Sequence, residues 1–308
     1  MSKHMKLKFY TVLSLFLAPL AHASETLSIT WLENDSKPFY LEKSDKNQQG
    51  GLCNDITDML IEALPNINHS KVLLPQKRAG KYLDEGHMAC YSCMIHREQK
   101  TKRATYSIPT TVYPPFTVLS THEQAKKITQ AHGNPVSLIS LLTDSGFIFG
   151  QNDARKFGSK FEKIAKNTKL YESAALSSTG SHPSYAILTQ LQHGYIDYTI
   201  DYPFVADYYN QKNQQHIEKL SIGNPKQSMM LGAIGCSTSA PNNYAEKVLA
   251  EINHALKTKV LPSERYQQSQ RVWLEQNFAD FSSQYERLIL NPIKQPATGE
   301  TTPQSVHP

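Results

Sequence analysis

The chain has 308 residues, 39% of them hydrophobic and 19% charged, with 32 Lys and Arg against 27 Asp and Glu for a formal net charge of +5. That balance suits folded domains, and so small and unclustered a positive excess excludes a dedicated nucleic-acid surface. Beyond residue 23 no apolar run is long enough to span a bilayer.

Residues 1–23 carry Lys3, Lys6 and Lys8, an apolar run over 9–20, and Ala21-His22-Ala23. This is the pattern of a secretory signal, too short in its apolar part for a membrane span. The mature chain is expected to start at Ser24 in the periplasm. Its net charge then falls from +5 to +2, because the segment removes three lysines and no acid. The roughly 285 residues that remain suffice for two modest domains, each with its own core.

Residues 27–32 (LSITWL) read as a first strand, followed by a loop with Pro38-Phe39-Tyr40. After Gly50-Gly51, Ile56, Met59, Leu60, Ala63 and Leu64 recur with the spacing of a one-sided helix over 55–64, ended by Pro65. A short strand over 71–74, a helix over 78–85 closed by Gly86, and a strand over 88–95 complete a βαβαβ pattern, the signature of a parallel sheet.

Arg97, Lys100, Lys102 and Arg103 follow the third strand, against Glu98 alone. Cations at the carboxyl edge of a strand stand where open α/β sheets hold ligands, and an arginine there can clamp a carboxylate with two parallel hydrogen bonds. The alternative is a solvated charge run. Tyr106-Ser107-Ile108-Pro109 and Pro114-Pro115 lead to another apolar run over 116–119.

Four cysteines, Cys53, Cys90, Cys93 and Cys236, permit two disulfides in three connectivities in an oxidising compartment. Residues three apart in an extended strand are separated by ~10 Å, beyond the roughly 7 Å limit for bridging. Cys90 and Cys93 are therefore expected to pair elsewhere or to remain buried thiols. A thiol-redox reading of this Cys-x-x-Cys is disfavoured because such motifs open helices, and no histidine spacing supports zinc.

A polar segment over 120–134 precedes a helix near 136–142, a strand over 146–150, an amphipathic helix over 153–167 and a strand-like piece near 169–171. Residues 177–181 open a helix with Pro183 in its first turn, running to His193 and capped by Gly194. A strand over 195–200 meets Asp201-Tyr202-Pro203. Then come a strand over 228–235, a long amphipathic helix over 242–259 and a helical stretch around Trp273. The Pro-rich tail from Asn291 is expected to be disordered. No internal repeat is present.

In this order the signals resemble the bacterial extracellular solute-binding proteins of the polar amino acid class, the periplasmic binding proteins of ABC importers. The residues that carry the likeness are Trp31 and the Pro38-Phe39 loop, Gly51 with Asp55, Arg78, the cysteine-bearing strand with the basic loop through Pro109, and the run from Gly194 to Pro203. It covers roughly residues 27–290. The resemblance implies an α/β, two-lobed type II periplasmic-binding-protein fold, each lobe a mostly parallel sheet flanked by helices. Lobe one would be 24–118 plus 227–290 and lobe two 119–226, joined by a two-strand hinge.

The resemblance also implies a ligand held in the cleft between the lobes, with no catalytic step and no cofactor. An arginine of the basic loop would take the ligand's carboxylate, Arg103 or alternatively Arg97, and Asp201 would take its amine. Trp31, Phe39 and Tyr202 are aromatic walls of the cleft or core residues. Thr179 and Gly180 offer backbone N–H groups to an anion or form an ordinary helix cap. Arg78 faces the cleft or pairs at the surface. The implied partners of a monomer are a small-molecule ligand and an ABC permease, or alternatively a membrane sensor, with no nucleic acid.

Overall fold

The computed structural model describes residues 27–41, 50–152, 176–178, 183–214, 216–223 and 229–294. The signal sequence expected over 1–23, the helix expected over 153–167, the strand-like piece expected near 169–171, Thr179, Gly180 and the tail from residue 295 lie outside the described residues.

Two sheets organise the chain. In the first, β1 (Ser28–Glu33), β2 (Asn68–Leu73) and β3 (Ala89–Ile95) form the parallel half, in the order β2-β1-β3. The helices between them make this arrangement possible, since each carries the chain back to the start of the next strand. α1 (Asn54–Ala63) buries Ile56, Met59, Leu60 and Ala63, as its periodicity predicts. α2 (Gln76–Asp84) starts two residues before the expected helix and buries Ala79 and Leu83. Gly86 ends this unit at φ +80, and a Cβ there would meet the Ser239 carbonyl oxygen at 2.8 Å.

The other half of the sheet is antiparallel. β11 (Met230–Ser237) returns from the far end of the chain and pairs with β3 and with the three-residue strands β4 (Ala104–Tyr106) and β5 (Thr111–Tyr113). The register sets Cys236 opposite Cys90, and a disulfide joins them. A second disulfide ties Cys53, at the entrance of α1, to Cys93 on β3. The two cysteines of the Cys-x-x-Cys run thus pair with different partners, as strand geometry requires.

The chain leaves the first sheet between β5 and β6 (Thr117–Thr121) and returns between β10 (Ile217–Ser221) and β11. β6 and β10 pair antiparallel in the second sheet just as β5 and β11 do in the first. The second sheet has the order β10-β6-β9-β7-β8, with β7 (Phe149–Asn152), β8 (Leu176–Ser178) and β9 (Tyr198–Asp201) parallel to one another and antiparallel to β6. Both sheets are therefore mixed, each with a parallel set of strands and antiparallel pairing where the crossing segments enter.

The segment expected to be a polar linker over 120–134 is instead the end of β6 and a helix, α3 (His122–His132), whose Ala125, Ile128 and His132 face inward. The apolar stripe is thin, and only tertiary packing reveals it. α4 (Leu138–Thr143) follows expectation within two residues, and α5 (Pro183–Gln192) ends within one, but Ser177 and Ser178, expected to open that helix, belong to a strand, Leu176–Ser178. α6 (Pro203–Asn213) and β10 carry no strong signal of their own.

α7 (Tyr244–Ala255) continues through a wider turn, Leu256–Val260, and packs on the first sheet. α8 (Glu264–Leu274) and the tight turn Glu275–Asn277 follow, with α8 packed on α1 and on α9 (Phe281–Tyr285). The tail was expected to be irregular from Asn291, but Asn291–Lys294 forms a last helical turn, α10. Among the described residues no helix is long and apolar enough to cross a membrane.

Candidate functional site

The loop after β1 is built to hold one aromatic ring in place. Leu52 N donates to Pro38 O at 3.1 Å, and Cys53 N donates to Phe39 O at 2.7 Å. The buried Asn54 side chain accepts from Leu41 N at 2.7 Å and Gly51 N at 3.1 Å. Gly51 permits this approach, because a Cβ there would lie 2.5 Å from Phe39 O and 2.7 Å from Leu41 N.

Under the loop lies a buried hydroxyl network. Tyr40 Oη and Ser92 Oγ are 3.1 Å apart, and Thr57 Oγ1 donates to Ser92 Oγ at 2.8 Å and sits 3.0 Å from Cys53 O. The Cys53–Cys93 disulfide closes the same corner covalently. Burial, reinforced by neighbouring Tyr91, pushes the Tyr40 phenol well above its ordinary value, so it stays protonated and able to donate.

Asp201 ends β9 and is buried at 4% exposure. Its Oδ2 accepts from Ser184 Oγ at 3.2 Å and its Oδ1 from the backbone N–H of Tyr202 at 2.8 Å. β6 fixes its height through the pairing of Thr117 with Asp201. Pro203 then starts α6, where its missing N–H costs nothing.

The two sheets meet through rings. Phe39, from the first, lies 6.0 Å from Tyr202 and 5.3 Å from Phe204, both edge-on, and both of those belong to the second. Tyr113 and Phe116, which flank the crossing segment, lie 5.1 and 4.4 Å from Tyr202. Tyr202 and Phe204 stack at 5.3 Å. All five side chains are buried. Such ring pairs contribute about 0.5–1.5 kcal/mol each beyond the area they bury.

Of the sequence-predicted site residues, the structure brings together Phe39, Tyr202 and Asp201. Trp31 is placed elsewhere: fully buried, it donates from Nε1 to His69 Nδ1 at 3.1 Å and stacks on that ring. His69 Nε2 in turn lies 3.0 Å from Leu64 O, so Trp31 belongs to the packing of β1 against β2.

Arg103 is committed to Asp84 at the end of α2, with Nε 2.8 Å from Oδ1 and Nη2 2.7 Å from Oδ2. Gly80 makes room for it, since a Cβ there would stand 3.1 Å from Nη1. The hydrogen bonds and charge of Arg103 hold the Asp84 carboxyl below its ordinary value. Arg78 and Arg97 are exposed. Among the described residues none of the three arginines bonds to Asp201.

Sequence reasoning passed over Tyr113, Phe116, Phe204 and Ser184. Three of these are aromatics beside prolines, Tyr113-Pro114-Pro115-Phe116 and Pro203-Phe204, and that juxtaposition was their available signal. Ser184 carried none beyond its place in the first turn of a helix.

No protein-family model matches the chain, and no curated protein does. Solved structures do. A histidine-bound substrate-binding protein of an ABC uptake transporter from Streptococcus pneumoniae superposes with a TM-score of 0.60 at 13% identity, over 82% of this chain and 93% of that one. The arginine-, lysine- and histidine-binding protein ArtJ from the thermophile Geobacillus stearothermophilus gives 0.60 at 15% identity, over 88% and 100%. A histidine kinase sensor domain with similarity to periplasmic binding proteins gives 0.59 at 13% identity, over 81% and 96%. The likeness establishes the fold: a two-lobed type II periplasmic-binding-protein fold.

Proposed function

We propose that this chain binds a small polar solute, an amino acid or a related zwitterion or anion, between its two lobes and presents it to an ABC permease in the periplasm. Lobe one comprises 24–118 with 227–290, and lobe two 119–226. The observation that carries the reading is the meeting of Phe39, from one lobe, with Tyr202 and Phe204, from the other, where Tyr202 directly follows buried Asp201. Asp201 takes the ligand's amine. Arg97, exposed at the carboxyl end of β3, is better placed than Arg103 to take a carboxylate, because Arg103 is held by Asp84. Thr179 and Gly180 remain candidates for an anion. The chain performs no chemical step on the ligand.

Thermal shift against the amino acids, their amides, small amines and small dicarboxylates tests this directly. A solute at a hundred times its Kd adds about 2.7 kcal/mol of apparent stability. If no member of such a panel raises the melting temperature, solute binding is rejected.

A second reading keeps the binding step but replaces transport by sensing, with lobe closure reported to a membrane partner. The sensor-domain neighbour supports it. Capture on a permease or on a sensor kinase, in the presence of the identified ligand, separates the two.

A further inference from the structure

We infer that α8 and the turn after it latch the two lobes together, so that the cleft opens only when their contacts with α6 and β10 are broken. The inference rests on the two-lobe reading above. α8 packs on α1 and α9, with the first lobe, whereas Asp207 on α6 and Lys219 on β10 belong to the second. Asn277, in the turn after α8, joins them. Lys219 Nζ donates to Asp207 Oδ1 at 2.5 Å and to Asn277 Oδ1 at 2.9 Å, while Asn277 Nδ2 donates to Asp207 Oδ2 at 2.5 Å.

The three side chains therefore close a ring in which each makes two bonds. A carboxamide suits the third corner, since its oxygen faces an ammonium and its nitrogen a carboxylate. An aspartate in its place would repel Asp207, and an aliphatic residue would break both bonds. Lys219 and Asp207 are each 34% exposed, so solvent screens the pair only in part.

One helical turn earlier Trp273 makes a second crossing contact, edge-on to Tyr208 at 6.1 Å. Tyr208 also has Lys212 Nζ over its ring at 5.8 Å, which orients it. The same tryptophan donates from Nε1 to Gly50 O at 3.3 Å, and Gln270 Nε2 donates to Leu52 O at 3.3 Å. Those two carbonyls lie in the segment whose N–H groups hold Pro38 and Phe39.

α8 consequently grips lobe two twice. Directly, Trp273 and Asn277 reach the second turn of α6. Indirectly, α8 steadies the Phe39 loop, whose ring touches Phe204 in the first turn of the same helix. Opening the cleft as a rigid-body hinge movement must break both sets of contacts together. The latch biases the ligand-free protein toward the closed arrangement, and part of what a ligand would otherwise contribute to closure is already built in.

The test is small-angle scattering on the protein with both disulfides formed and no solute added. Asn277→Leu, which breaks both crossing bonds, should shift the radius of gyration to larger values, and Lys219→Met, which leaves the Asn277–Asp207 bond, should shift it in the same direction by less. Because Asn277→Leu already breaks both crossing bonds of the ring, the double variant should expand no further than Asn277→Leu alone. Hydrogen exchange along 203–213 should rise in all three. A lower melting temperature with an unchanged radius and unchanged exchange would mean static packing and would overturn the latch, as would additive effects of the two substitutions. No ligand enters the measurement, so its outcome is independent of the solute panel.

Discussion

The ring of Phe39 stands edge-on to that of Phe204 at 5.3 Å, although the two residues lie on opposite sides of both crossing segments. A contact between lobes is thus made by the loop that Gly51 and Asn54 hold rigid. Phe39→Ala should remove about 3–5 kcal/mol of stability, the usual loss for a buried phenylalanine. Phe39→Leu, which keeps most of the volume, should cost under about 1.5 kcal/mol. Urea unfolding of both variants measures the difference. Equal and negligible losses would show that the rings do not hold the lobes together.

The Asp201 carboxylate accepts from the Ser184 hydroxyl and from the backbone N–H of Tyr202. Ser184→Ala removes the hydroxyl and should destabilise by roughly 1.5–3 kcal/mol, the range for a bond to a charged group. Asp201→Asn keeps an acceptor for Tyr202 N but discards the charge, and should abolish binding of whichever amine-bearing solute the panel identifies. Calorimetric titration decides it: wild-type affinity in that variant would remove Asp201 from the site.

Arg103 and Asp84 supply a pH dependence of known sign. The Asp84 carboxyl is held below its ordinary value of 3.8, so between the two values the folded chain binds fewer protons than the unfolded one. The pair's contribution is complete above 3.8 and is lost as pH falls through the lower, folded value. Arg103→Ala should flatten the acid side of the melting profile and leave solute affinity unchanged, whereas Arg97→Ala should weaken it. A loss of affinity confined to the Arg103 variant would reverse this assignment.

The two disulfides close loops of different length, 40 residues for Cys53–Cys93 and 146 for Cys90–Cys236. By chain entropy alone they should contribute about 4 and about 5 kcal/mol respectively. Replacing Cys90 and Cys236 together by Ala should therefore lower the guanidinium midpoint more than replacing Cys53 and Cys93. The opposite order would point to strand pairing or denatured-state structure as the dominant factor.

What could be read along the chain followed from local physics. The spacing of Ile56, Met59, Leu60 and Ala63 identifies α1 because one helix face must be apolar to pack. The rise of an extended strand is enough to separate Cys90 from Cys93 as partners. α3 escaped notice because Ala125, Ile128 and His132 make too thin a stripe, and β4 and β5 because three residues carry no period.

The sequence by itself determined the α/β order, the first parallel unit, the refusal of the two nearby cysteines to bridge, and the place of Asp201 at the end of a strand. Tertiary structure alone decided that Phe39 faces the other sheet while Trp31 turns to His69, that Arg103 meets Asp84, and that Asn277 reaches Asp207 and Lys219. The physical reason is range. Periodicity and strand rise act over a few residues and leave a mark in composition. A guanidinium's choice of carboxylate, or an indole's choice of neighbour, depends on which distant segments the fold brings within bonding distance, and no local pattern records it.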